Sequence, residues 1–315
     1  ADYWLMLLKL EQVRDEEVQN FLAQYSGMPF TDRLRGEWLK KLAKQKNWQA
    51  FFDEQAFFYG DDKAVQCYAL LGHLQLKDLD VTGPAKAMWL NSSDLPGACT
   101  ALFDALQKTG ALSEDDIWAR LRLALLDGNL PLAKHIKARL ANVDPAALKW
   151  LDRADLAPEV LLEKRTVSFK SRFGVEVNLY ALDRLARTKL GVAIATLEKL
   201  QGSFDANQRA VAWGRMAYHA ARKHDPMALH YFAMAEGAAI NAEQLAWKAR
   251  AALRAQDWPV VLQSIAAMSP KQADEGAWRY WKARALKETA AKSADQLALA
   301  HGLFRKLSKD RKSVV

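Results

Sequence analysis

A recurring tryptophan, followed by a short helical stretch and then an asparagine or aspartate, most constrains how this 315-residue chain can fold. Each of these tryptophans is predicted to open a helix, and each asparagine or aspartate is predicted to cap the helix that follows. The tryptophans of the pattern are Trp38, Trp118, Trp213 and Trp247, and the capping residues are Asn47, Asn129, Asp225 and Asp257. The sequence therefore contains a weak internal repeat of paired helices.

The capping residues explain why the helices should come in pairs. An asparagine or aspartate at an N-cap accepts hydrogen bonds from the free amides of the first turn. Pro226 suits a first turn because proline lacks an amide that would have no partner there. Two helices joined by a short turn form an antiparallel hairpin, and stacked hairpins bury apolar faces that one hairpin leaves open. We therefore predict an all-α solenoid of antiparallel helical hairpins, tetratricopeptide-like, running as one array over residues 1–315.

The apolar spacing agrees with helices throughout. Leu179, Leu182 and Leu185 recur at helical steps, and the register resumes at Ile194 after a predicted break at Gly191. These intervals follow the helical period rather than the alternation of β-strands, so we predict no sheet.

The net charge of +8 raises the question of a polyanionic partner. Lysines and arginines are spread among acidic residues along the whole chain, which is typical of solvated helix faces and gives no further reason to expect nucleic-acid binding. No apolar stretch is long enough for a transmembrane helix. The chain opens without the basic start and apolar run of an export signal, so we expect any such signal to have been removed.

No motif with an evident chemistry is present. The sequence lacks phosphate-binding glycine loops, HExxH, CxxC and GxSxG motifs, and we predict no catalytic, cofactor-binding or metal-ligating residue. His219, His224 and His230 are spaced as structural histidines rather than as metal ligands. The acidic runs 15–17 and 114–116 lie at predicted helix starts, where they complement the helix dipole, and Ser113 with Asp116 resembles a capping box.

The eleven tryptophans allow two interpretations. They could form stacking platforms for sugar rings or bases, or they could fill gaps between stacked hairpins. Recurrence at similar helix positions favours packing for Trp38, Trp118, Trp213, Trp247 and Trp278. Trp4, Trp89 and Trp150 fall outside that pattern.

The two cysteines, Cys67 and Cys99, are both in predicted helix context. The residues themselves leave two alternatives open: a disulfide that would stabilise the fold by about 3–4 kcal/mol, or two reduced buried thiols.

Several segments, in matching order and spacing, resemble the superhelical N-terminal domain of the soluble lytic transglycosylases. The strongest single match is residues 277–284. The others are residues 34–39, 47–48, 65–68, 87–90, 96–99, 102–103 and 120–129. The resemblance covers nearly the whole chain.

The resemblance implies a superhelix of helical hairpins curved toward a ring, a disulfide between Cys67 and Cys99, and a periplasmic location. It also implies peptidoglycan glycan strands as partners, with other cell-wall enzymes as further candidates. Enzymes of this family cleave the β-1,4 bond between N-acetylmuramic acid and N-acetylglucosamine without hydrolysis and leave 1,6-anhydro products. One glutamate serves as both acid and base.

The sequence departs from the family where the catalytic residue should be. The family glutamate lies in a Glu-Ser pair of a lysozyme-like domain, and no adjacent Glu-Ser occurs here. The resemblance therefore carries over no catalytic residue. We expect a scaffold domain whose C-terminal end lies near the start of the family's linker domain, either as a fragment or as a truncated relative. The alternatives are a stand-alone helical-repeat adaptor for proteins and a basic helical-repeat binder of nucleic acid, which has only the net charge in its favour.

Overall fold

The computed structural model describes residues 2–91, 93–140, 147–290 and 294–313, and all regular structure in these ranges is helical. The predicted all-α fold class is confirmed. The chain divides into two compact units, Ala1–Val143 and Asp144–Val315. Among the described helices, none combines the length and the apolar character needed to cross a bilayer.

Unit 1 contains nine described helices. They are α1 (Asp2–Leu8), α2 (Asp15–Gln24), α3 (Pro29–Lys44), α4 (Trp48–Gln55), α5 (Lys63–Leu76), α6 (Thr82–Trp89), α7 (Cys99–Lys108), α8 (Glu114–Leu126) and α9 (Leu130–Lys137). Helix α3 packs against α4 and α5, α5 packs against α7, and α8 pairs with α9. The predicted hairpins at Asn47 and Asn129 are thus α3–α4 and α8–α9.

Unit 2 contains eleven described helices and a short 3-10 turn at Gln201–Ser203. The helices are α10 (Leu148–Leu156), α11 (Pro158–Glu163), α12 (Arg172–Thr188), α13 (Leu190–Leu200), α14 (Ala206–Arg222), α15 (Ala228–Met234), α16 (Ala242–Ala255), α17 (Trp258–Ala266), α18 (Pro270–Ala273), α19 (Gly276–Thr289) and α20 (Ala294–Ser313).

The helices of unit 2 form a stack of hairpins. Helix α12 pairs with α13, α14 with α15, and α16 with α17, while α12 packs on α14 and α14 on α16. The helix break predicted at Gly191 is wrong by two residues, because α12 ends at Thr188 and Lys189 is the N-cap of α13. Helix α13 begins at Leu190, and its buried positions are Leu190, Ala193, Leu197 and Leu200, so the predicted register holds at Leu197 and Leu200 but not at the half-buried Ile194.

The four predicted hairpin turns share one backbone geometry. A residue with positive φ precedes each capping position: Lys46, Gly128, His224 and Gln256, with φ between 56° and 75°. The amide of the next residue donates to the carbonyl five residues earlier, at 2.8–3.0 Å, as in a Schellman motif. The repeat seen in the sequence is therefore a repeat of helix endings as well as of helix starts.

Three of the four predicted caps accept the expected hydrogen bond. Asn47, Asn129 and Asp257 are the N-cap residues of α4, α9 and α17, and each accepts from the amide three residues on. The prediction for Asp225 needs correction. Its carboxylate accepts from the amide of Met227, two residues on, and α15 begins only at Ala228. Because Pro226 follows it directly, the chain first makes a separate turn there.

The repeat tryptophans lie inside their helices rather than at the first position. Capping residues upstream set the actual starts, namely Ser113 for α8, Asp205 for α14 and Asn241 for α16. Four of the tryptophans are buried, and Trp247 is only half-buried. The buried ones are Trp38, Trp118, Trp213 and Trp278.

The disulfide implied by the family resemblance is present. Cys67 on α5 is bonded to Cys99, the first residue of α7, with Cα atoms 5.0 Å apart. The bond fixes the start of α7 to α5 within unit 1, and the alternative of two reduced thiols is set aside.

Candidate functional site

The acidic runs have structural partners, which argues against a catalytic role. Asp15 accepts from Trp38 Nε1 at 2.9 Å and from Lys41 Nζ at 3.0 Å. Asp116 forms the predicted capping box with Ser113 and pairs with Lys86 at 2.8 Å. Burial alone would raise the pKa of Asp116, but the hydrogen bonds from Lys86 and Ser113 outweigh it and lower that pKa.

The histidines do not assemble a metal site. Within the described part of the chain, no group of three or more histidine, cysteine, aspartate or glutamate side chains could hold a metal ion. His224 occupies the positive-φ position before Asp225. His219 instead lies in the core of unit 2.

A buried polar cluster surrounds His219 and was missed at the sequence level. Asp183 Oδ1 on α12 accepts from Arg215 Nε at 2.6 Å and lies 2.8 Å from His219 Nε2 on α14. All three side chains are buried. Burial lowers the pKa of His219 despite the neighbouring carboxylate, whereas the Arg215 charge and the His219 contact overcome burial and lower the pKa of Asp183. A neutral imidazole donating to a buried carboxylate holds two helices together and presents no group to a substrate.

A cavity of about 230 Å³ beside the disulfide of unit 1 is the better candidate for binding. Three charged side chains from separate parts of unit 1 line this cavity. They are Asp94 from the segment before α7, Arg120 from α8 and Arg139 from the turn after α9. Its apolar walls and remaining lining residues are Trp89, Leu95, Pro96, Cys99, Thr100, Phe103, Leu132, His135 and Ile136.

Trp89 forms the floor under both arginines of this cavity. The guanidinium carbon of Arg120 lies 4.3 Å from the Trp89 ring centroid, and that of Arg139 lies 5.5 Å from it. Trp89 Nε1 donates to the carbonyl of Asp116 at 2.8 Å, which fixes the ring on α8. Trp89, which the repeat pattern left unassigned, is therefore a buried platform for cations rather than an exposed surface for sugars.

Structural comparison places the fold among lytic transglycosylases. An inactive mutant of the lytic transglycosylase Slt from Pseudomonas aeruginosa matches 93% of this chain with a TM-score of 0.62 and 24% identity, and 48% of that protein is covered. The 70-kDa soluble lytic transglycosylase from Escherichia coli matches 96% of this chain with a TM-score of 0.53 and 18% identity. A complex of a 70-kDa soluble lytic transglycosylase with bulgecin A gives the same values. The resemblance seen in the sequence is thereby confirmed at the level of the fold.

The chain spans about half the length of the lytic transglycosylase structures it matches. No family model matches the sequence, and no curated protein matches it significantly.

Proposed function

We propose that this chain is the non-catalytic helical scaffold of a periplasmic lytic transglycosylase. It would position peptidoglycan glycan strands, or proteins that act on them, while a lysozyme-like domain cleaves the bond between N-acetylmuramic acid and N-acetylglucosamine. The observation that carries this proposal is the extent of the fold match. Nearly the whole chain aligns with about half of each lytic transglycosylase structure.

The chemistry of the described residues supports a scaffold rather than an enzyme. The acid–base mechanism of this family needs a glutamate poised to donate and accept a proton at a cleft. The sequence has no adjacent Glu-Ser pair. Carboxylates of the acidic runs instead accept hydrogen bonds from a tryptophan, pair with lysines and take part in a helix cap. We therefore assign positioning to this chain and bond cleavage to another domain.

The disulfide supports the proposed location. Disulfides persist in oxidising compartments such as the periplasm and are rare in the reducing cytosol. Cys67 and Cys99 are bonded, and both are buried, which is typical of a structural rather than a transient disulfide.

The test is a binding and digestion assay with purified peptidoglycan sacculi. The chain is incubated with sacculi and, as a matched insoluble control, with chitin, which has the N-acetylglucosamine backbone without muramic acid or peptides. Pelleted protein is quantified, and the supernatant is searched by mass spectrometry for 1,6-anhydro-muropeptides. We expect pelleting with sacculi, little with chitin, and no anhydro products.

Two other outcomes would contradict parts of the proposal. Anhydro products would mean that the chain carries its own active site, so the scaffold assignment would be wrong. Absence of sacculus binding would argue against glycan positioning and favour the stand-alone adaptor, whose partners would be proteins.

A further inference from the structure

Arg120 is a buried cation that has no carboxylate within ion-pair distance among the described residues. The residue is 4% exposed. Its Nη2 donates a long hydrogen bond of 3.3 Å to the Ser93 carbonyl, and its buried Nε has no hydrogen-bond partner. Arg215, which is similarly buried, has Asp183 at 2.6 Å. Buried charges are ordinarily paired, so Arg120 departs from the rule that Arg215 follows.

Arg120 stays charged although its surroundings lower its pKa, and its hydrogen bonds are incomplete. Burial and the Arg139 charge lower the pKa of Arg120 to about 10, and Asp94 opposes that decrease. The group is therefore protonated at neutral pH. Trp89 supplies a cation–π contact at 4.3 Å, which stabilises a cation but offers no hydrogen-bond acceptor.

The second guanidinium of the cavity already has partners. Arg139 Nη1 lies 2.7 Å from Asp104 and 3.2 Å from Gln107 Oε1, and Gln107 in turn donates to the Arg139 carbonyl at 3.0 Å. Arg139 is thus held in place and largely neutralised. Asp94, exposed at the rim, adds one negative charge. Of the two guanidiniums, Arg120 is therefore the one that keeps an unused hydrogen-bond donor and has no carboxylate at ion-pair distance among the described residues.

We propose that this cavity binds the carboxylate of a small ligand or of a chain end, with Arg120 as its principal charge partner. A guanidinium presents parallel N–H donors that match the two oxygens of a planar carboxylate. A phosphate dianion fits less well because Asp94 faces the same space. The volume of about 230 Å³ and the apolar walls at Phe103 and Leu132 restrict the body attached to the carboxylate to a few heavy atoms.

The proposal is independent of the scaffold function, because it can be tested with simple carboxylates. N-acetylglycine and its neutral amide, N-acetylglycinamide, form the matched ligand pair, and inorganic phosphate is the competing anion. Acetyl-tetraalanine with a free C-terminus distinguishes a chain end from a small free acid. Binding is measured by isothermal titration calorimetry and by the arginine Nε–H resonances in ¹⁵N spectra of the intact chain.

Three variants connect binding to the cavity. Arg120→Met removes the charge and keeps most of the volume, and should weaken carboxylate binding by about tenfold or more. Lys108→Met removes an exposed positive charge from α7 of the same unit and should leave binding unchanged. Asp94→Asn removes the opposing negative charge at the rim and should tighten binding of N-acetylglycine severalfold, while N-acetylglycinamide should still not bind.

The expected result is saturable binding of the acid, none of the amide, and an arginine Nε resonance that moves on titration and is missing in Arg120→Met. Asp94→Asn keeps the test decisive if Arg120→Met fails to fold, since a rim substitution of an exposed residue should leave the core intact. Equal binding of acid and amide, no saturable binding, or no tightening in Asp94→Asn would overturn the proposal. Phosphate binding without carboxylate binding would also overturn it.

Discussion

His219 Nε2 on α14 lies 2.8 Å from Asp183 Oδ1 on α12, deep in unit 2. The same oxygen accepts from Arg215 Nε, so one carboxylate joins two residues one helical turn apart on α14. Because the pKa of Asp183 is lowered, the carboxylate stays ionised and the Nε2 proton of a neutral His219 donates to it. The contact links the first helices of two neighbouring hairpins and couples their packing to the protonation state of His219.

Acid should therefore destabilise the chain through His219. Its pKa is lowered in the folded state, so the unfolded state binds the proton more readily. Stability is fully present above the unfolded histidine pKa of about 6.5 and is lost as the pH falls below that value toward the folded pKa, by at most about 1.4 kcal/mol per pH unit. Urea unfolding at a series of pH values between neutral and about 5 measures this loss.

His219→Gln is the matched control because the glutamine amide can donate from nearly the position of Nε2 and does not titrate. We expect a flatter dependence of unfolding free energy on pH in His219→Gln than in the unsubstituted chain. The two slopes should be compared rather than the absolute stabilities, since the substitution itself disturbs a buried site. Identical slopes would show that His219 is not the residue that titrates in this range.

The hairpin turns were predictable because their signals are local. An asparagine or aspartate that caps the next helix can be read directly from the sequence, and Asn47, Asn129 and Asp257 do cap α4, α9 and α17. Asp225 differs because Pro226 imposes its own turn before α15. The tryptophans were misplaced along their helices because the true starts depend on upstream caps such as Asp205 and Asn241.

The turn geometry predicts opposite effects for two substitutions. Gln256 has φ of 56° and Gly128 has φ of 75° at equivalent positions before α17 and α9. Gln256→Gly should stabilise the chain by about 0.5–1 kcal/mol because glycine adopts positive φ without steric cost, and Gly128→Ala should destabilise it by about 1 kcal/mol. Paired urea melts of the two variants test this. Destabilisation by both would mean that the Gln256 side chain contributes more than its backbone strain costs.

The disulfide should make unit 1 sensitive to reductant. Cys67 and Cys99 are 32 residues apart, and loss of a cross-link of that span costs about 3–4 kcal/mol on the loop-entropy model. The guanidinium chloride concentration at the midpoint of unfolding should fall when the reductant tris(2-carboxyethyl)phosphine is added. A Cys67→Ala, Cys99→Ala double variant should start from the lower midpoint and show no response to the reductant. A response in the double variant would place the effect outside the disulfide.

The cavity around Arg120 was beyond sequence reasoning because its parts come from separate elements. Trp89 ends α6, Arg120 lies on α8, and Arg139 follows α9. None of these positions has a local signature. Arg120 reads as one more basic residue on an amphipathic helix, and only packing shows that its face is buried. The Asp183–Arg215–His219 cluster was hidden for the same reason, since its carboxylate and its two donors lie on different hairpins.

The repeat tryptophans give the last prediction, which separates gap filling from surface contact. Trp278 is 4% exposed and packs with Leu245, Ala249 and Val261, whereas Trp247 is half-buried. Trp278→Ala should destabilise unit 2 by about 3–5 kcal/mol because it leaves a cavity between stacked helices. Trp247→Ala should cost clearly less, since part of its ring already faces solvent.

Chemical denaturation of the two variants, followed by far-ultraviolet circular dichroism, measures the difference. The Arg250 guanidinium carbon lies 4.9 Å from the Trp247 ring centroid and 5.2 Å from that of Trp278, so an Arg250→Met variant is needed to account for the shared cation–π contact. If Trp278→Ala and Trp247→Ala lost the same stability, burial would not explain the repeat. If Trp278→Ala lost almost none, Trp278 would not be filling a gap between α16 and α19.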